Sequence, residues 1–378
     1  MSNLLEKASI VTTPTAYDNG KILSVKPEEV LGADFDFTRN SSATRVNSQG
    51  LIENITSNLP RIDYTGGEGH WLFEKQSTNL IPYSEDFSQS NWIKQAAVIL
   101  TPNQPSPDGE NNAYKVQGTI GLSYVLDGGF GAITPQSRSI YMRAETNGVI
   151  YSLGDGQSKQ INVTTEWQRF EFQEISNSFY AVDFRGSGVT LDNVYIWGAQ
   201  TEELSYATSY IPTNGSTVTR LQDAAFGAGS SDLINSTEGV LYAEISALAN
   251  ENVQRISSIS DGTSNNTIQL GFLNSATNYK FFASVRVGGA FQAFMVYDFG
   301  AVQPTFKKVA VKYKQNDFAL WIDGIKVVTD TSGNVPTGLN KLSFDRGDGG
   351  QDFYGKTKCI AVFKEALTDA ELECLTTI

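Results

Sequence analysis

At 378 residues the chain is too long for one ordinary sandwich domain and suits two or three. Its 40% hydrophobic and 11% aromatic content excludes a disordered tail, and 34 Gly, 21 Phe and 16 Tyr beside 3 Met point to strands and turns rather than helices. A formal net charge of −13 excludes bulk binding to nucleic acid or anionic membrane, no Lys/Arg run supplies a local basic patch, and the acidity reads as solubility.

The first 20 residues lack a basic start followed by an apolar core, so no signal peptide is expected. No apolar run approaches the roughly 20 residues of a membrane span, so no membrane insertion is expected either. Cys359 and Cys374 are the only cysteines, and a reduced pair is expected.

Residues 1–75 open the chain. Asp34-Phe-Asp36-Phe-Thr38-Arg39 alternates like a half-exposed strand, and Asn40-Ser-Ser-Ala-Thr44-Arg45-Val-Asn47-Ser-Gln-Gly50 is rich in turn residues. The apolar content is too small for an independent core, so this segment is expected to be an attachment arm that orders against a neighbour or another chain. Residues 76–215 hold strand-like runs such as Arg138-Ser-Ile-Tyr-Met-Arg143, Trp167-Gln-Arg-Phe-Glu-Phe172 and Asn193-Val-Tyr-Ile-Trp197. Gly, Asn, Ser and Pro clusters separate them at fairly even spacing, the pattern of a sandwich or jelly roll. Residues 216–232, dense in Ser, Thr, Gly and Ala, are expected to be a linker.

Residues 233–378 form the third expected domain. Lys307–Lys314 and Phe318–Val328 alternate as strands, with Asp323-Gly324 as a type I′ hairpin turn. A Gly-rich loop, one more strand and a short helix follow, the helix opened by a capping box of Thr368 and Glu371. No internal repeat of 20–50 residues is present.

Three pieces of this chain resemble one class of protein, the virion appendage proteins of tailed bacteriophages. The first is Phe37-Thr-Arg39-Asn-Ser-Ser-Ala43-Thr44-Arg45-Val-Asn47. The second is Glu74-Lys-Gln-Ser77-Thr78-Asn79-Leu with Tyr83-Ser-Glu-Asp-Phe87 and Trp92, closed by Gly198-Ala-Gln200 and Tyr206-Ala-Thr-Ser-Tyr210-Ile-Pro212. The third is the C-terminal domain, which resembles the concanavalin A-like or laminin-G-like sandwich, while 76–215 resembles the jelly roll of carbohydrate-binding modules. The fold class is therefore expected to be all-β: an N-terminal virion-attachment arm, a jelly-roll sandwich, then a concanavalin A-like sandwich with one short C-terminal helix.

The resemblance implies a virion-surface protein assembled in the bacterial cytoplasm, with other virion proteins as partners through the arm. It also implies a homotrimer that binds host-surface polysaccharide. A structural decoration or collar protein without its own ligand stays open, as does a depolymerase with an inter-subunit site. No enzyme is expected: the Glu-x-Asp-x-(x)-Glu strand of hydrolases on the concanavalin A-like fold is missing, as are Walker, Gly-x-Ser-x-Gly and His-Glu-x-x-His motifs. His70 is the only histidine and has no partner for a metal site or a Ser/His/Asp arrangement.

Sugar binding favours flat aromatic faces flanked by polar groups. Trp167, Trp197 and Trp321 lie inside alternating strands and read as core. Trp71 and Trp92 lie near turns or element ends, and Tyr279 and Phe291 flank a Gly-rich hairpin, so these four are the candidate glycan contacts. No cofactor is required. Structural calcium is the one metal considered: the module resemblance pairs Glu85 and Asp86 with Asp192, and the acidic loop at 345–352 offers Asp345 and Asp348. The alternative for each is a solvated polar turn.

Overall fold

The computed structural model describes residues 2–27, 33–128, 136–152, 159–173, 179–273, 275, 277–303 and 305–377. The chain is divided into two compact units, one of residues 1–40, 55–75 and 222–378, the other of 41–54 and 76–221.

The first unit is a sandwich. Among the described residues, its larger sheet has eight strands, ordered Ile325–Asp330, Phe318–Ile322, Lys307–Lys314, Glu238–Ala247, Gly355–Phe363, His70–Phe73 and Ile62–Asp63, with Ala8–Thr12 pairing along Gly355–Phe363. The facing sheet runs Ala290–Asp298, Lys280–Val287, Thr267–Phe272, Arg255–Ser260 and Lys341–Ser343. Alternation along the strands sends Leu241, Ala243, Val309 and Val311 from one sheet and Ile268, Leu270, Phe281 and Ala283 from the other into a shared core. The outer face of the eight-stranded sheet is apolar too, because Leu367, just before the helix Asp369–Thr376, and Leu372 within it cover Tyr242 and Trp321. That helix carries the expected capping box, Thr368 with Glu371. The Asp323-Gly324 hairpin has φ of 47° and 79° at its two central residues, as a type I′ turn requires.

The second unit is a smaller sandwich. One sheet is ordered Ile93–Gln95, Tyr124–Gly128, Phe179–Asp183, Gly148–Ser152 and Lys159–Val163, the other Ile99–Gln104, Ala113–Gln117, Asn193–Glu202, Ser137–Arg143 and Gln168–Phe172. Val125, Tyr180, Val182 and Ile150 meet Val116, Ile140, Met142 and Ile196 between the sheets.

The all-β class with sandwich sheets and a short C-terminal helix is the architecture expected from the sequence; a further helix, Ser2–Lys7, precedes the first strand. The boundaries differ. Segment 1–75 is no separate arm, since Ala8–Thr12, Ile62–Asp63 and His70–Phe73 are strands of the eight-stranded sheet while 41–54 belongs to the second unit. Apolar content too small for a core of its own suffices to complete a core begun by other residues. Segment 216–232 is no linker: Val218–Arg220 pairs with Ser77–Asn79, and Ala224–Phe226 pairs with Phe35–Thr38.

The chain passes from one unit to the other four times, at 40/41, 54/55, 75/76 and 221/222. Beside these passages, within the first unit, lies a buried ionic network. Asp223 accepts from Arg39 Nη1 at 3.1 Å and from Arg61 Nη2, and Arg61 Nη1 reaches Glu74 Oε2 at 2.8 Å. The Glu74 amide also donates to Asp223, and Arg39 Nη2 to the Thr56 carbonyl. Burial works against the Arg61 charge, yet Asp223 and Glu74 beside it hold the guanidinium above its ordinary pKa.

Candidate functional site

Of the four aromatic residues expected to meet a glycan, three are core. Trp71 is 1% exposed and packs edge-on to Tyr17 in the first unit. Trp92, also 1% exposed, plugs the second unit against Phe87 and Tyr180, its indole N–H donating to the Tyr83 carbonyl. Tyr279 is buried with the first unit's core. Nearness to a turn in sequence sets none of these, because what covers a side chain is the neighbouring sheet. Phe291 is exposed, with Arg286 4.1 Å above its ring and Phe294, also exposed, 4.9 Å away.

The five carboxylates considered for calcium lie apart in function. Glu85 accepts from Tyr210 at 2.8 Å and Asn112 at 3.1 Å, and burial raises its pKa. Partial burial also works against the Asp86 charge, but hydrogen bonds from Gln89, Ser88 and Tyr114 bring its pKa down to about 2. Asp192 is exposed and accepts from Asn193. Asp345 accepts from the Gly347 amide, and Asp348 pairs with Arg346 at 2.7 Å. Among the described residues no group of three or more His, Cys, Asp and Glu gathers as a metal site. His70 is buried, its Nε2 3.4 Å from Asp63, and burial lowers its pKa. Both cysteines are free thiols.

The phrases on which the phage resemblance rests are structural in this chain. Ser77 and Thr208 donate to buried Glu202, Asn79 donates to the carbonyls of Ala199 and Ile211, and Gln200 accepts from the Ile211 amide. Thr44 donates to the Tyr210 carbonyl, and Ser41 accepts from the Leu221 amide.

The surface with the chemistry of a binding site is the outer face of the second unit's sheet that carries Asn193–Glu202. Register dictates its composition. Ile140, Met142, Val194 and Ile196 point into the core, so Tyr141, Arg143, Tyr195 and Trp197 point out. Across the strands Lys115 lies opposite Tyr195 and Tyr195 opposite Arg143; in the next row Trp197 lies opposite Tyr141 and Tyr141 opposite Arg169.

This face divides into a fastened part and an open part. Trp197 is sealed: its indole N–H donates to Asn112 at 2.9 Å, and Tyr210 packs at 4.6 Å with Ile52 of the 41–54 hairpin alongside. Tyr141, Arg143 and Trp167 are half-buried and reach solvent. The Arg143 guanidinium stands 3.9 Å from the Tyr195 ring centroid and 5.5 Å from that of Trp167. Beside them exposed Glu145 accepts from Lys115 at 2.6 Å and from the Tyr195 hydroxyl at 3.0 Å, and the Lys115 hydrogen bond, first among several causes, lowers its pKa. Rings and fixed charges thus share one sheet face.

No family model matches the chain, and no curated protein matches it. Solved structures share parts of the architecture. The CBM40 of Ruminococcus gnavus IT-sialidase bound to α2,3-sialyllactose is 20% identical over 38% of this chain and 84% of its own, with a TM-score of 0.31. Domain 4 of AbnA, a GH43 arabinanase of Geobacillus stearothermophilus, in complex with arabinotriose, is 13% identical over 45% and 82%, TM-score 0.32. Domains LG4-5 of the mouse laminin α1 chain are 9% identical over 78% and 95%, TM-score 0.24.

Proposed function

We propose that this protein is a non-enzymatic, polysaccharide-binding appendage of a tailed-phage virion, holding host-surface glycan on the outer face of the second unit. The observation that carries the binding role is the open cluster of Tyr141, Trp167 and Arg143 with Glu145 and Lys115 beside it. Pyranose C–H groups pack on ring faces, and hydroxyls take hydrogen bonds from flanking polar groups, so such a surface retains sugar without reacting with it. The virion setting, the partner virion proteins and a homotrimer are supported by the residue phrases at 37–47, 74–92 and 198–212. In an oligomer, weak sites add by avidity rather than by new contacts.

Affinity electrophoresis of the full chain through gels cast with a panel of bacterial surface polysaccharides tests the binding role. Retardation is expected in at least one gel, and Trp167→Ala should weaken it roughly tenfold, the loss of about 1.4 kcal/mol of ring contact. Unchanged mobility of the parent across the panel, or equal retardation of Trp167→Ala, refutes the reading.

A further inference from the structure

The cations on the proposed face differ in what engages them. Arg169 donates to Ser139 Oγ and the Thr208 carbonyl and pairs with Glu171. Lys115 is paired with Glu145. Arg143 has a different environment: its close contacts among the described residues are ring faces, Tyr195 and Trp167. Those contacts are with ring electrons and give the guanidinium no oxygen acceptor for its five N–H donors. Arg143 is therefore a charged, half-buried residue held beside rings, and among the described residues its guanidinium donates to no oxygen acceptor.

We propose that Arg143 is a carboxylate receptor, so that the face takes an acidic polysaccharide, one whose repeating unit contains a sugar acid; the inference rests on the binding role proposed above. Three features favour an anion over a neutral hydroxyl. The guanidinium fork matches a carboxylate in two parallel hydrogen bonds, which are stronger than bonds to neutral oxygen. Partial burial lowers the local dielectric and strengthens that pairing. Glu145, the nearby like charge and a Coulombic neighbour of Arg143, is paired with Lys115 and accepts from Tyr195, which draws its carboxylate toward those partners and offsets part of its repulsion of an anionic ligand. The rings supply the rest: Trp167 stands beside the guanidinium, and half-buried Tyr141 lies on the same sheet face one row along, so apolar ring surface adjoins the fork where the sugar that bears the acid would lie. Since the whole chain carries −13, long-range steering opposes an anionic ligand, and recognition depends on the short-range fork.

The experiment uses the full chain and the polysaccharide it retains best in the panel, compared with the same polysaccharide after its carboxyl groups are reduced to primary alcohols. The parent should lose at least tenfold in affinity for the reduced form. Arg143→Gln should bind both forms equally, at the weaker level, and Arg143→Lys should keep part of the preference, because the charge remains and the fork is lost. Thermal unfolding of each variant checks that the fold is intact. Equal affinity of the parent for native and reduced polysaccharide, or a neutral best ligand, overturns the acid-sugar proposal while Trp167→Ala still reports on the binding surface. Failure to retain any polysaccharide removes the binding role and this proposal with it.

Discussion

Asp352 carries the clearest pH signature in the molecule. Burial, opposed by a hydrogen bond from Tyr354 and aided by the nearby Asp345, pushes its carboxyl up to about 6. An acid whose folded pKa exceeds its unfolded value binds its proton more tightly when folded, so stability falls as pH rises from about 4 to about 6 and levels off above that. Asp352→Asn keeps an acceptor for the Tyr354 hydroxyl and the Gln222 amide, which both reach the Oδ2 oxygen in the parent. The variant should unfold at higher denaturant than the parent at pH 7.5, by about 1 kcal/mol after discounting for solvent screening, and the gap should close near pH 4. A gap that stays constant across this range refutes the assignment. Single residues were the least legible scale of the sequence. Trp71 and Trp92 look free beside their turns, yet each is covered by residues distant in the chain. The alternation that would have found Arg143 was present in Arg138-Ser-Ile-Tyr-Met-Arg143, where Ile140 and Met142 mark the core face and Tyr141 and Arg143 the other.

Elements were more legible where the signal is local. The Asp323-Gly324 turn and the Thr368–Glu371 cap both follow from a few adjacent residues and their backbone needs. The opening segment was not, because pairing partners far along the chain decide it: Ala8–Thr12 runs against Ile360–Phe363, and Phe35–Thr38 against Ala224–Phe226. Its buried charged residues Arg39, Arg61 and Glu74 converge with Asp223 out of water. Removing one member of such a network leaves the others charged and unsolvated, which destabilises by about 3–5 kcal/mol. Asp223→Ala is therefore expected to lower stability by that order in urea unfolding. Lys21→Ala, which removes an exposed pair with Asp36, should change it by less than about 1 kcal/mol. Similar small effects from both would show that the network is not a determinant of the fold.

At the scale of the whole molecule, the order of segments along the chain decides which parts can stand alone. A cut at residue 233 follows the boundary that sequence patterns suggest, but it removes the strands Ala8–Thr12, Ile62–Asp63 and His70–Phe73 from the eight-stranded sheet. With them go the core side chains Ile10, Phe35, Phe37, Trp71 and Phe73. At about 1.5–3 kcal/mol for each buried side chain of this kind, the loss rivals the roughly 5–15 kcal/mol by which a domain is stable. Fragment 233–378 is thus expected to aggregate or to lack near-ultraviolet circular dichroism and a cooperative melt. Fragment 76–221 keeps both five-stranded sheets and their shared core, and gives up the 41–54 hairpin, whose Ile52 packs on the satellite cluster of Trp197 and Tyr210 and whose Thr44 donates to the Tyr210 carbonyl. It should melt cooperatively at a temperature below that of the same region in the full chain, and it should keep the Tyr141–Arg143–Trp167 surface. A well-folded 233–378 with a sharp transition would mean that the N-terminal strands decorate a finished sandwich. Its collapse beside a folded 76–221 would mean that the opening segment belongs to the core of the first unit, and that the proposed binding surface can be isolated for ligand work.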